Sequence, residues 1–315
     1  MLKLVEQGAT VLAYPALRTA VERVGAENLF FMVLEENRPI LDMLGIVPPA
    51  NVIAVPKGGL LTTLRGMLAA LARVRREKID AVIDFELFAR SSAVLAYLTG
   101  ATRRVGYHAY NGDGPWRGDP MTHRLGYSPQ VHTLRAMLVQ TEALWLDPAG
   151  LPAVGIDMST LDESITRFQP TADETEEVRR TLRQLAGGRD PRPLVLLNAN
   201  ASDLIPLRKW EGDRYVTLAR RLLADDPDLT IAFTGAPSEA PPIDALVRQV
   251  GDARCVSMAG KTTMRQLLVL CTLADVLVTN DSGPAHFAAL TDIDIPTLFG
   301  PRPPGSGACS GRGAT

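Results

Sequence analysis

Two spacings of apolar residues alternate along the first half of the chain. Ala13, Leu17, Val21 and Val24 recur at helical intervals before Gly25, which predicts a helix closed by glycine; the run "NLFFMVL" then predicts a buried strand. The alternation repeats through "RPILDMLG" (helix), "NVIAVP" (strand), "LLTTLRGMLAALARVRREK" (long amphipathic helix), "AVIDF" (strand) and "RSSAVLAYLTG" (helix closed by Gly100). Helices alternating with short Val/Ile-rich runs imply parallel strands joined by crossovers, hence a doubly wound α/β sheet.

The pattern weakens between Tyr107 and Pro129, where Gly, Pro and aromatic residues predict a long loop of the kind that carries function. A helix is expected over about 131–146. The chain then becomes polar and proline-punctuated, as a connection between domains does, before the alternation resumes. "ETEEVRRTLRQLAGG", "DRYVTLARRLLA", "APPIDALVRQVG", "TMRQLLVLCTLA" and "PAHFAAL" read as helices; "PLVLLNAN", "LTIAFTG", "DVLVTN" and "IPTLFG" read as strands. The expected organisation is an N-terminal Rossmann-like domain over 1–150, a linker over 151–175, a second Rossmann-like domain over 176–300 and an irregular tail over 301–315. Two such domains are expected to face a central cleft at the carboxyl ends of their strands, where open α/β sheets bind ligands. Both ends read as irregular. Only "MLKLV" precedes an expected turn at Gly8, and the last residues carry no apolar period, so that end is expected to be frayed, truncated or out of frame.

Composition narrows the functional classes. The length of 315 residues suits two domains, and 46% hydrophobic, 22% charged and 5% aromatic residues with a net charge of -2 describe an ordinary globular chain. Such a charge implies no nucleic-acid partner. Cys255, Cys271 and Cys309 have no metal-ligand spacing and read as thiols of a reducing compartment. No secretory signal and no apolar run of membrane-spanning length is read, so the expected location is cytoplasmic, with any membrane contact peripheral to the inner membrane.

The candidate chemistry lies at strand ends of the second half. "DVLVTN" is followed at once by "DSGPAHFAAL", where unpaired amides at a helix start, the Ser282 hydroxyl and the close approach allowed by Gly283 form a phosphate receptor, with Asp281 orienting the loop or a sugar hydroxyl. The same composition equally describes a helix whose Asp or Ser caps its own backbone, and His286 equally a packed helix residue. Arg208 and Lys209 precede Trp210 after the "LVLLNAN" strand and suit a diphosphate. Glu239 follows "IAFTG", where a carboxylate accepts ribose hydroxyls. Lys261 and Thr262 sit in "AGKTT", which lacks the first glycine of a Walker loop. Singly, each also reads as a solvated loop residue.

These residues carry a resemblance. "AGKTTMRQLLVLCTLADVLVTNDSGPAHFAALTDIDIPTLFGP", the upstream "RKW", the N-terminal "GATVLAYPALR" and "AVIDFELFARSSAVLAYLTGATRRVGY" together resemble glycosyltransferase family 9, the lipopolysaccharide heptosyltransferases, from about Gly8 to Pro301. The resemblance implies a two-domain GT-B fold and an inverting transfer of a heptose or hexose from a nucleoside-diphosphate sugar to a lipopolysaccharide or related surface-glycan acceptor. The C-terminal domain would hold the donor through Arg208, Lys209, Glu239, Lys261, Thr262, Asp281, Ser282, Gly283 and His286. The N-terminal domain would face a glycan or glycolipid acceptor, with Gly8 on that side; independently of the resemblance, Arg104 and His108, in or near the long loop with His123, His132, Arg103 and Arg117, read either as ligands of an anionic acceptor or as solvated loop charges. No cofactor and no metal is implied; the Asp226–Asp228 and Asp292–Asp294 pairs read as surface turns.

One position departs from the family. Where the resemblance places a catalytic Asp after the glycine of the first loop, this chain has Ala9, which accepts no proton. Glu6 in the same loop is the favoured replacement base, with Asp84 or Glu86 at the end of "AVIDFE" as the other candidates. A non-catalytic nucleotide-sugar- or glycan-binding relative is the second reading. A dinucleotide oxidoreductase is disfavoured because Gly-x-Gly-x-x-Gly does not follow the first strand.

Overall fold

Residues 1–4, a short run interrupted by Lys3, form the middle of the first sheet. Leu2 bridges Met32 on one side and Asp84 on the other, both in parallel, with Leu2 N donating to Ile83 O at 2.9 Å and Lys3 N to Met32 O at 3.1 Å. A stretch hydrogen-bonded along both edges needs no length of its own to be held. The structure, a computed structural model, describes residues 1–110, 116–151, 155–200 and 209–299. It divides into two compact units, Met1–Ile165 and Thr166–Thr315, a division that falls inside the segment 151–175.

In the first unit β1 (Phe31–Leu34) pairs in parallel with β2 (Val52–Val55), and β3 (Ala81–Ile83), β4 (Arg103–Tyr110) and β5 (His123–Tyr127) pair in parallel in that order. With residues 1–4 between β1 and β3, the order across the sheet is β2, β1, the N-terminal stretch, β3, β4, β5. The direction of winding therefore reverses between the N-terminal stretch and β3, the doubly wound arrangement. The helices are α1 (Gln7–Leu12), α2 (Tyr14–Val24), α3 (Arg38–Leu44), α4 (Leu60–Arg76), α5 (Arg90–Leu98) and α6 (Thr133–Ala143). α1, α2, α3 and α6 pack on one another. α4 and α5 share a core: Leu71, Val74 and Leu95 bury against Leu2, Met32 and Ile53.

Two local expectations are corrected. Gly8 is no turn; it lies buried inside α1. The loop expected over 107–129 is bounded by strand within the described residues, since β4 runs to Tyr110 and β5 spans His123–Tyr127, with a register shift between Tyr107 and Ala109. In β4 Val105, Gly106 and Tyr107 are all buried, and in β5 His123 and Leu125 alternate with exposed neighbours; glycine and histidine at these positions leave no apolar period to read. At Gly106 a Cβ would stand 2.8 Å from Met121 Cε, so a larger residue there would displace the end of that flexible side chain.

The second unit has one parallel sheet in the order β10 (Thr297–Leu298), β9 (Val276–Asn280), β6 (Leu194–Asn198), β7 (Thr230–Phe233), β8 (Cys255–Ser257). Its helices are α7 (Ala172–Leu185), α8 (Gly212–Asp225), α9 (Ala240–Val250), α10 (Met264–Leu273) and α11 (Gly283–Ala288). Successive strand residues point to opposite faces, so Leu196 and Ala232 enter one core with Leu182 and Leu270, while Leu197, Ile231 and Phe233 enter the other with Tyr215 and Ile243. β8 escapes sequence reading because three residues are too few to show a period. Cys255 and Cys271 are buried in these cores, which pushes both thiols up to about 12. Among the described residues no helix is long and apolar enough to cross a membrane.

Candidate functional site

In the second unit the winding reverses between β6 and β9, and the loops leaving their carboxyl ends lie side by side. Asn280, fully buried at the end of β9, joins them: its Nδ2 donates to Asn200 O at 3.2 Å and its Oδ1 accepts from Trp210 N at 3.0 Å. Trp210 packs edge-on against Tyr215, with ring centroids 5.0 Å apart. Lys209 beside it is exposed, and Arg208 lies outside the described residues. Ser282 precedes α11 in an extended conformation and does not cap it; its Oγ donates to Asn280 O at 3.1 Å. Pro284 supplies no N–H to this first turn. Asp281 is buried with its amide donating to Leu298 O at 3.1 Å, and His286 is half-buried within α11.

Two further loops meet at Gly235, after β7. A Cβ there would lie 3.2 Å from Asn200 Nδ2, 3.3 Å from Glu239 Oε2 and 3.3 Å from Ala259 Cβ, so the β6, β7 and β8 ends converge on one bare stretch of backbone. Gly260 N donates to Gly235 O at 2.9 Å, and Gly260 adopts φ +70° with Pro237 Cα 3.1 Å from where a side chain would begin. Only glycine closes that contact. Glu239 accepts from Ala236 N at 2.7 Å through Oε2, so one carboxylate oxygen holds its own turn. Lys261 is exposed, its Nζ donating to Ser257 O at 2.9 Å, and Thr262 is half-buried. Asn198 Oδ1, Asn200 Nδ2 and Ser257 Oγ are buried without a hydrogen-bond partner among the described residues. Three such atoms at neighbouring strand ends mark a polar seat, because buried polar groups are nearly always satisfied.

In the first unit the reversal lies between residues 1–4 and β3. Glu86 accepts from Leu4 N at 2.7 Å and Val5 N at 3.1 Å through Oε1, and from Lys3 Nζ at 3.2 Å through Oε2. Lys3, 2% exposed, also reaches Glu6 Oε2 at 3.2 Å. Glu6 itself is 67% exposed and sits at φ 67°, ψ 83°, a left-handed conformation that costs a non-glycine residue about 1–3 kcal/mol and clusters at functional sites. Asp84 is different. It is fully buried, paired with Arg117, and accepts from Glu86 N at 3.0 Å; burial pushes its carboxyl up, against the pull of Arg117, the Glu86 amide and Ser92. Asp84, the other candidate base named from the sequence, is thus enclosed beside Arg117, whereas Glu6 is open to solvent.

The loops that converge in the second unit and the turn before α11 lie within residues 67–311, which match glycosyltransferase family 9 (heptosyltransferase). The chain belongs to glycosyltransferase family 9. Lipopolysaccharide heptosyltransferase 2 of Salmonella typhimurium is 31% identical over 114 residues, 36% of this chain and 32% of that one. Lipooligosaccharide heptosyltransferase 2 of Haemophilus influenzae is 30% identical over 103 residues, 31% of this chain and 29% of its own. These matches thus span about a third of each relative's length. Among solved structures, E. coli ADP-heptose lps heptosyltransferase II aligns with a TM-score of 0.73 at 18% identity, over 97% of this chain and 85% of that one. E. coli heptosyltransferase WaaC with ADP aligns at 0.67 and 20% identity, over 99% and 90%. At such identities the likeness speaks for the fold.

The remaining assignments of the family 9 chain sort by what each side chain touches. Arg104 donates to Pro120 O at 2.6 Å and to Ala101 O and lies over the Tyr97 ring, so it braces the β4–β5 connection. His108 is half-buried with Nδ1 3.6 Å from Asp119 Oδ1. His123 is buried beside Thr122, burial and Arg103 lowering its pKa, and His132 caps α6 by accepting from Leu134 N at 3.3 Å. Asp226 accepts from Asp228 N at 2.9 Å, and Asp292 pairs with Arg167 at 3.5 Å. Sequence reasoning missed Lys3, Asn198, Asn200 and Asn280. For the asparagines the signal available was polar residues closing an apolar run, since such residues end a buried strand at the sheet end where ligands bind; Lys3, inside "MLKLV", gave no such signal.

Proposed function

We propose that this chain is an inverting, metal-independent glycosyltransferase. It would move a sugar from a nucleoside-diphosphate sugar to a lipopolysaccharide or related surface-glycan acceptor at the cytoplasmic face of the inner membrane. The donor proposed is ADP-heptose, the molecule named with the structural neighbours. The observation that carries the reading is the convergence of the β6, β7, β8 and β9 ends around Asn200, Gly235 and Asn280 in a family 9 chain. The Asn280–Gly283 turn, with Lys209 and Arg208, takes the diphosphate; the Glu239 oxygen not engaged by Ala236 N takes the ribose; Lys261 and Thr262 lie against the base. As the acceptor oxygen bonds to the anomeric carbon, the bond to the diphosphate breaks and its electrons leave on the phosphate, where positive charge and amide dipoles stabilise them. Glu6 accepts the hydroxyl proton, its carboxylate oriented by Lys3.

Ala9, in α1, favours a second reading: a binding relative that keeps the donor seat without turnover. Wild type and Glu6→Gln are compared for ADP affinity by calorimetry and for transfer from ADP-heptose, with a chelator present. Transfer by wild type, lowered by about a hundredfold or more in Glu6→Gln at unchanged ADP affinity, is the expected result. Equal turnover removes Glu6 as the base, ADP binding with no wild-type transfer selects the second reading, and absence of both ends the proposal.

A further inference from the structure

The outer surface of the α4–α5 layer is apolar where a surface helix is ordinarily polar. On α4, Leu60, Leu61, Leu64 and Leu68 of the first half are 85%, 68%, 52% and 57% exposed, while Ala70, Leu71 and Val74 of the second half are buried. Positions three and four apart stack on one side of a helix, so these leucines form a continuous stripe. α5 also exposes apolar residues, Val94 and Leu98 at 55% and 42%, and Arg75 Nη2 donates to Leu98 O at 2.8 Å, tying the two helix ends together. A patch of this kind on a globular chain marks a contact surface.

Charge identifies what it contacts. Residues 57–78 hold six cations (Lys57, Arg65, Arg73, Arg75, Arg76 and Lys78) and one acid, Glu77, in a chain whose net charge is -2. Arg65 stands between the exposed leucines, has no hydrogen-bond or ion-pair partner among the described residues, and lines with Arg73 a groove of about 480 Å³ between α4 and the edge strand β2. Lys57 is paired with Glu36, and Arg76 with Glu77. A second copy of the chain meeting this face by two-fold symmetry would oppose like charges. An anionic surface with an apolar interior satisfies both the leucines and the cations.

We propose that the α4–α5 face is the seat of an anionic lipid bilayer, with Leu60, Leu61, Leu64 and Leu68 entering the interface and Arg65, Arg75 and Arg76 meeting lipid phosphates. This contact stands apart from sugar transfer, because lipid binding is read with no donor or acceptor present. The full chain is floated with vesicles of phosphatidylethanolamine and phosphatidylglycerol, and separately with phosphatidylcholine alone. Wild type is expected to float with the anionic vesicles and to lose them as salt rises. Leu61→Ser/Leu64→Ser/Leu68→Ser is expected to weaken partition by about tenfold or more, since each leucine withdrawn forfeits its apolar transfer. Arg65→Glu/Arg76→Glu is expected to weaken it on anionic vesicles only. All five positions are exposed, so an unchanged thermal midpoint accompanies the loss. The proposal is overturned if wild type floats with neither vesicle, or if the leucine variant floats as wild type does. Self-association in sedimentation velocity that vanishes in the leucine variant while lipid binding persists also overturns it.

Discussion

At the residue scale, two acid–base groups near one sheet end have opposite fates. Lys3 is buried between Glu86 and Glu6, so two carboxylates share one cation, and the outer one, Glu6, remains in solvent on a strained backbone. Asp84 and Arg117 are both fully buried, and Arg117 further donates to Glu86 O at 2.8 Å and Ser92 Oγ at 2.6 Å. Removing one partner of a buried pair strands the other charge, at a cost of about 3–5 kcal/mol. Arg117→Met is therefore expected to lower the urea midpoint markedly, and Asp84→Asn/Arg117→Met to recover part of it. A double variant no more stable than the single one would contradict the pairing. Glu6 and Asp84 were both legible in the sequence as acids near strand ends; which of them meets solvent was not, because burial depends on Arg117, thirty-three positions beyond Asp84 in the chain.

At the scale of elements, α7 shows how a helix is fixed at its start. Thr171 Oγ1 accepts from Glu174 N at 3.2 Å and Glu174 Oε2 accepts from Thr171 N at 2.9 Å, a reciprocal cap that sets the helix start at Ala172. Arg265 of α10 binds the same carboxylate and lies over the Phe168 ring at 5.1 Å. Hydrogen bonds from Arg265, then from the Thr171 amide, hold Glu174 down from 4.5 to about 2. A depressed carboxylate contributes its full stability above the unfolded value, near 4.5, and loses it as pH falls toward about 2. The difference in thermal midpoint between wild type and Glu174→Gln is thus expected to be largest above pH 4.5 and to shrink below it; a constant difference would argue against the linkage. Its size is modest, since the group is close to solvent. Thr171→Ala is expected to cost about 1 kcal/mol by chemical denaturation. Helix periods and glycine stops were readable along the chain; the three-residue β8 and the strands inside 107–129 were not, because their pairing comes from neighbours distant in sequence.

At the scale of the whole molecule, each unit carries its own sheet, its own core and its own reversal of strand order. The proposed division of labour places nucleotide binding in the second unit alone. Addition of ADP is expected to slow hydrogen exchange at residues 198–200, 234–239 and 280–286 by about tenfold or more at saturating ligand, while β1, β2 and β3 keep their rates. Protection confined to the first unit would move the donor seat.

The sequence by itself determined the alternation of helix and strand, the parallel sheets that alternation requires, and the family, because these reside in local periodicity and in contiguous runs such as "NDSGPAHFAAL". Tertiary structure alone decided that "MLKL" is a central strand, that Asp84 is enclosed while Glu6 is open, and that Asn200, Glu239 and Ala259 meet at Gly235. The physical reason is common to all three. A period reports which side of one element is apolar, whereas burial, charge pairing and convergence depend on which elements the sheet order brings side by side.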